Sequence, residues 1–513
     1  MQDHQAQRIS QTTGLLAEAD YTLTDRDLRL HNEDLAPVPA SKRSWGALEI
    51  FNVWTNDVQS LAGYTLAASL FITAGINGWL VFVAIILASV IVMFLVNLSG
   101  KPSVRYGIPY AVIARTNMGV LGARFPALLR GLVGMFWFGA QTYFASTAVA
   151  LALHALIPGA SRAPVLSLDW VGWLSIVLVT LFQLLIFIRG IGWISRFLNF
   201  AGPAVYVVMI VLLIAIWTQA GDQLIAGVGH MFQSEVSGWA AVSAFFGVVG
   251  TMVAYFAAVV VNYGDFSRFT RSLKSMRRGN FYGLPVSLTL FTFLALFITA
   301  GAYIAFQNGQ GEPLTNPADI VGLIDNTALT LIAAVTFFIA TVGINLVANF
   351  VPPAYDLANL WPARISFRIG GLITATIGFI IAVLWVAVIA PMGFPKFVDT
   401  LGAVLAPLYG LLVCDYYILR KSRLYVRDMF TMSPRGVYHF TNGWNYRALT
   451  AVGIAALFSM ATVWVPVLAD NLSGFGWMIG AFLGGLFHWI AMRGRIIIDS
   501  ATETAPHAAR QPA

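Results

Sequence analysis

Charge is what this sequence has least of. Asp, Glu, Lys and Arg supply 10% of its 513 residues, where a soluble domain carries about 25%. With 58% hydrophobic residues beside so little charge, a water-facing surface could not be covered. A soluble globular protein is excluded, and a polytopic membrane protein is expected. Cysteine is nearly missing too: Cys414 stands alone, which rules out an internal disulfide framework and any CxxC metal site. The 7 histidines are scattered without a pair at metal-ligand spacing. No Ser/His, paired-Asp or His-based metal constellation suggests an enzyme, and no cofactor is expected. The first 45 residues are polar and lack an apolar core followed by a small-residue cleavage site, so no cleavable signal peptide is expected. A net charge of +7 could suggest nucleic acid, but its placement speaks for membrane topology instead, and no nucleic-acid partner is expected.

Long apolar runs fill the space that charge leaves. A membrane span needs roughly 20 predominantly apolar residues, and that template selects 47–73, 77–99, 126–156, 169–188, 197–219, 239–263, 282–306, 328–352, 369–390, 397–419, 448–469 and 473–492. The stretches 101–124 and 424–446 are too polar to span. With the N-terminus in the cytoplasm and sides alternating, all of the 30 basic residues except Arg162 and Lys396 fall inside, as the positive-inside rule requires. The acidic loop 308–327, free of Lys and Arg, falls outside. The expectation is a multi-pass protein of the cell membrane with both termini cytoplasmic. Residues 1–45 form an arm, 46–495 the body embedded in the lipid bilayer, and 496–513 a tail.

Within that apolar body, Val53–Tyr64 (VWTNDVQSLAGY) is out of place. It brings Asn56, Asp57, Gln59, Ser60 and Gly63 into the first span, although each buried polar group without a partner costs roughly 2–7 kcal/mol. We read a helix interrupted at membrane depth, its freed backbone groups lining a polar cavity. In span 3 Trp137 and Gln141 are four apart and share a face. They could be the floor for a flat hydrogen-bonding ring, or bundle packing with an amide as interhelical glue. Span 6 has Gly247 and Gly250 one turn before Tyr255 and Phe256, fitting either unwinding or close helix approach. In span 8 Asn345 and Asn349 are again four apart, ahead of Pro352-Pro353, and serve equally as glue or as readers of a ring edge. Span 10 begins at Asp399 and holds Gly402, Pro407 and Gly410, so it should bend. Spans 1 and 6 each open a five-helix block, about 46–219 and about 238–420, which suggests an inverted repeat with its site at the midplane.

Several segments, taken in order, resemble the nucleobase–cation symporter-1 family: NEDLAPVPASKRSWG (Asn32–Gly46), RYGIPYAVIART followed by PALLRG, WFGAQT, DFSRF, NLVANFVPPAYDLAN and APLYGLLVCDYY. The similarity runs from about residue 32 to about residue 495, and the family includes hydantoin, allantoin, cytosine and uracil permeases. It implies an all-α fold of about 12 transmembrane helices, the LeuT-type pair of inverted five-helix repeats plus two peripheral helices at about 447–493, with helices 1 and 6 interrupted. In the family, a ligand ring is sandwiched between two Trp rings with amide side chains at its edges. Carried over by position, these fall on Trp137 with Gln141, on Phe256 with Tyr255 just before it, on Asn349 with Asn345 one turn earlier, and on Ser60 or, with a one-residue slip, Gln59. The family's cation lies between span 1 carbonyls, here at Asn56 and Gln59, and span 8 positions Ala340, Gly343 and Ile344. Gly343 and Ile344 replace two hydroxyl residues and offer no side-chain oxygen, which counts against sodium. Asp57 is the substitute, able to carry a proton, or else a structural carboxylate. The expected function is a secondary-active symporter, acting as a monomer, that imports a small N-heterocycle of the nucleobase, allantoin or hydantoin class with H+ or Na+. The alternative is a membrane-embedded sensor of the same ligands, which would need an output module.

Overall fold

The structure, a computed structural model, describes residues 27–31, 33–157, 164–222, 224, 235–324, 326–472 and 474–496; for residues 191, 192 and 194–204 it describes the backbone only. Expectations for residues 1–26, for Arg162, for the Arg196 side chain and for the tail beyond 496 lie outside the described residues. All twelve apolar stretches are helical. The first consists of α1 (Ala47–Val58) and α2 (Leu61–Thr73), followed by α3 (Gly78–Tyr106), a short α4 (Tyr110–Met118), α5 (Arg124–Leu156), α6 (Trp170–Arg189) and α7 (Ile191–Ala220). The second block comprises α8 (Gly238–Tyr255), α9 (Ala257–Asn262), α10 (Leu273–Phe281), α11 (Ser287–Gln307), α12 (Thr327–Ile344), α13 (Val351–Leu360), α14 (Phe367–Leu384) and α15 (Phe394–Val413). Then come α16 (Tyr446–Trp464), α17 (Pro466–Leu472) and α18 (Gly476–Met492).

By length and apolarity, 8 helical segments among the described residues can cross a membrane, and the bent pair α17–α18 would make a ninth. Three of the twelve stretches miss that test: the first because it is cut in two, α5 because polar residues such as Gln141 dilute its apolarity, and α7 because only its second half, Val205–Ala220, is fully described. The polar stretch 101–124 does not span: it turns at Gly107 (φ +73) and carries the short helix α4, which is buried along its whole length.

Residues 27–31 and 33–45 of the arm are strapped across one end of the bundle. Val38 N–H donates to the Gly107 carbonyl at 2.8 Å, and Arg43 donates to the Val38 and Val104 carbonyls. A Cβ at Gly107 would lie 2.5 Å from the Val38 carbonyl oxygen, so this crossing needs glycine for both space and φ. The 424–446 segment closes the same end, where buried Arg115 donates to the Met429 carbonyl at 2.9 Å and to Asn359 Oδ1 at 2.6 Å. The glycines of span 6 turn out to serve packing. Helix α8 runs unbroken through Gly247 and Gly250, and a Cβ at Gly250 would sit 1.7 Å from the Gly474 carbonyl oxygen.

Candidate functional site

Helix α1 stops at Val58, and the chain passes through Gln59 and Ser60 before α2 starts. Ser60 is extended (φ −70, ψ 156), and its Oγ accepts the Gly63 N–H at 2.9 Å, a serine N-cap. The Leu61 N–H leaves the helix pattern to reach Thr341 Oγ1 on α12 at 3.1 Å. Gly63 permits this close return, since a Cβ there would lie 2.8 Å from the Val58 carbonyl oxygen and 3.2 Å from the Tyr255 hydroxyl. The second break is a single residue, Phe256 (φ −84, ψ 0), between α8 and α9. The two interruptions meet.

Ser60 Oγ is where they meet. It lies 3.0 Å from the Tyr255 hydroxyl and accepts from Gln141 Nε2 at 3.3 Å. Tyr255 also reaches the Asp57 carbonyl at 3.4 Å. Trp137 stands edge-to-face on Tyr255 and on Phe397, each at 5.3 Å between ring centres. Residues from α1, α2, α5, α8 and α15 thus converge on one spot. An unmade hydrogen bond remains there, since Gln141 Oε1 is buried without a partner; the Gln59 carboxamide, buried with no hydrogen bond of good geometry, lies toward Tyr206 on α7 instead. An unmet acceptor such as Gln141 Oε1 is costly unless something occupies it, and a ring edge carrying N–H and C=O would do so.

Span 8 divides its two asparagines between different tasks. The Asn345 amide faces three acceptors, Gln183 Oε1 at 2.7 Å, the Phe138 carbonyl at 3.0 Å and Thr142 Oγ1 at 3.1 Å. Its Oδ1 takes the Asn349 amide at 3.1 Å. Asn345 is saturated, binding α5 and α6 to α12 and holding Asn349 in place. The helix between them widens into a π turn, Asn345–Phe350. Pro352 and Pro353 explain why a regular helix cannot continue there. Ala348's carbonyl would accept from residue 352 in an α-helix and from 353 in a π-helix, and neither proline has an N–H. Arg130 Nη2 on α5 supplies the missing donor at 2.9 Å.

Phe256 lies elsewhere than a stacking partner of Trp137 would. It packs edge-on against Trp54 (6.2 Å) and Tyr255 (4.9 Å), and Tyr255 is the ring from this break that touches Trp137. On the cation side, Asn56 Nδ2 donates to the Asn52 carbonyl at 2.7 Å. Ala340, Gly343 and Ile344 are all buried on α12. The side-chain oxygen that α12 brings to the break is Thr341 Oγ1, which the sequence reading missed, and it is already engaged by Leu61. Asp57 is buried, its Oδ2 has no hydrogen-bond partner, and it takes part in no ion pair among the described residues. Arg130 was also missed: by sequence it counts as one more basic residue at the entry to span 3. Its only signal is the Pro-Pro pair, whose orphaned carbonyl needs a donor.

Comparisons with known proteins give the family and the fold. A family model described as permease for cytosine/purines, uracil, thiamine and allantoin matches residues 37–480. The chain is 34% identical to the allantoin permease of Bacillus subtilis over 493 residues, covering 94% of this chain and 96% of that protein. It is 31% identical to the purine-uracil permease NCS1 of Arabidopsis thaliana, covering 94% and 82%. Among solved structures it resembles Mhp1, a nucleobase-cation-symport-1 family transporter in a closed conformation with bromovinylhydantoin bound. That match has a TM-score of 0.72 and 22% identity over 90% of this chain and 95% of that one. The fold is therefore the all-helical LeuT type, and the protein is a multi-pass membrane permease rather than an enzyme. From its motifs, its two meeting helix breaks and its relatives alike, the chain belongs to the nucleobase–cation symporter-1 family.

Proposed function

We propose that this protein is a secondary-active importer of a small N-heterocycle of the nucleobase, allantoin or hydantoin class, working by alternating access in the cell membrane with both termini cytoplasmic. The observation that carries this reading is the convergence on Ser60: two broken helices, an indole and an unsatisfied amide at one depth. Substrate enters between the two repeats, lies against Trp137 and the Tyr255–Phe256 break, and satisfies Gln141 and Asn349. The chain works as a monomer. One repeat then rocks against the other, and only a difference in ligand and ion affinity between the two states can drive that cycle.

The coupling ion we assign is the proton. A hard cation needs about five or six oxygens at such a site. Here Gly343 and Ile344 offer none from their side chains, and the Thr341 hydroxyl already takes the Leu61 N–H. The residues present do not fit a sodium site. Asp57, buried beside the break and free of any basic partner among the described residues, can take up and release a proton between access states.

Thermal stabilisation of the purified protein by hydantoin, 5-benzylhydantoin, allantoin, uracil, cytosine and purines, with and without sodium, tests both parts. The expected result is one class that stabilises equally in either salt. Stabilisation by none of them would refute the substrate class. Stabilisation only with sodium would refute the proton assignment.

A further inference from the structure

Between the break and the end covered by the N-terminal arm lies a second polar cluster, fully buried. It contains Arg130 on α5, Asn262 at the end of α9, Asp265 just beyond, and Asp356 on α13. Arg130 Nη2 donates to Asn262 Oδ1 at 3.1 Å as well as to the Ala348 carbonyl at 2.9 Å. The Asn262 amide continues to Asp265 Oδ2 at 3.0 Å, and Asp265 Oδ1 takes the Tyr110 N–H at 2.8 Å. Asp356 approaches from the other side: a Cβ on Gly131 would meet its Cβ at 3.5 Å. Both Asp356 oxygens and the Nε and Nη1 of Arg130 make no hydrogen bond. A buried ionic network left half-made in this way is a poor permanent fastener. It suits a contact that is made in one state and remade in another.

The positions of its partners decide what Arg130 connects. One polar network ties α1, α3 and α10 to the chain after α9: Trp54 Nε1 to Asn280 Oδ1 at 2.7 Å, the Tyr263 hydroxyl to the same oxygen at 2.5 Å, and Asn280 to Asn97 at 2.9 Å. Another ties α5, α6 and α12 through Thr142, Gln183 and Asn345. Arg130 belongs to the second network by helix and reaches into the first through Asn262, while the same nitrogen holds the turn that carries Asn349.

We propose that Arg130 is a positioning residue and a latch. One contact fixes the Ala348 carbonyl and so aims Asn349 at the ligand; the other holds α9 against α5 and keeps the cytoplasmic side shut. Ligand drawn onto Asn349 shifts the π turn, Arg130 can no longer serve both acceptors, and release of Asn262 lets α9 part from α5. The inference rests on the transport reading above.

A reporter thiol separates the two contacts. In a Cys414→Ala background, Ala258→Cys lies one turn before Asn262 on the same helix face and is buried. Its labelling by a membrane-impermeant maleimide in inside-out vesicles reads cytoplasmic opening, and thermal shift with allantoin, hydantoin and uracil reads affinity. Asn262→Ala should raise labelling about fivefold or more while changing ligand affinity by less than about threefold. Arg130→Lys keeps the positive charge beside the two aspartates. It should raise labelling likewise and also weaken the ligand about tenfold or more, since Lys cannot serve both acceptors in the same geometry. Parental labelling in both variants would make Arg130 a static counter-ion and overturn the latch; unchanged affinity in Arg130→Lys would overturn the positioning role. If none of the three compounds stabilises the parent, the transport reading fails on its own, and the labelling still decides the latch.

Discussion

Asn349→Ala tests the binding site most directly, because its expected effects on stability and on ligand are read by separate measurements. Asn349 makes a hydrogen bond of 3.1 Å to Asn345 Oδ1, while Asn345 keeps its contacts to Gln183, Phe138 and Thr142. Truncation therefore leaves the buried Asn345 Oδ1 without its donor, a loss of about 1–3 kcal/mol that moves the midpoint of a chain this long by only a few degrees. Toward a ring edge the same carboxamide presents a donor and an acceptor. Losing two such bonds at about 1–1.5 kcal/mol each removes about 2–3 kcal/mol of binding, or roughly 30- to 150-fold in Kd. Initial uptake rates for radiolabelled allantoin, hydantoin and uracil should fall to background at low substrate concentration, with membrane abundance and thermal midpoint close to the parent's. Uptake with an unchanged KM at normal abundance would refute the assignment of Asn349 and, with it, the orientation of the ligand toward span 8.

Asp57→Asn should abolish the pH dependence of uptake while leaving the fold intact, because no ion pair among the described residues is lost; a pH profile like the parent's would return Asp57 to a structural role. Gly250→Ala forces a Cβ to within 1.7 Å of the Gly474 carbonyl, an overpacking that should cost about 1–3 kcal/mol in a thermal or denaturant midpoint. Gly453→Ala on α16 meets nothing within 4 Å and should be neutral or stabilising by up to about 1 kcal/mol. Equal midpoints for the two glycine variants would contradict the close approach of α8 to the α17–α18 bend.

The membrane class, the helical stretches and the first interruption were legible because each depends on composition over a local window. A run of apolar residues declares a span, and a cluster such as Asn56, Asp57, Gln59 and Ser60 declares an exception to it. The roles within the site were less legible. Asn345 and Asn349 look alike as residues four apart on one helix face; only Thr142 and Gln183, from two other helices, make one of them glue and leave the other available. Tyr255 and Phe256 are adjacent, and which of them meets Trp137 depends on the single-residue break that turns the helix between them.

The sequence by itself determined that this chain lives in a bilayer, that its first helix is broken, and, through motifs in a fixed order, which family it resembles. Hydrophobic burial and helix geometry act over short stretches, so the order of residues along the chain is enough to express them. Only the tertiary structure decided that Ser60 is the meeting point of both breaks, that Thr341 occupies the break's free N–H, and that Arg130 caps the carbonyl orphaned by two prolines. Those are pairings between groups 81 to 280 residues apart, and a hydrogen bond is settled by which atoms come within about 3 Å, not by their spacing along the chain.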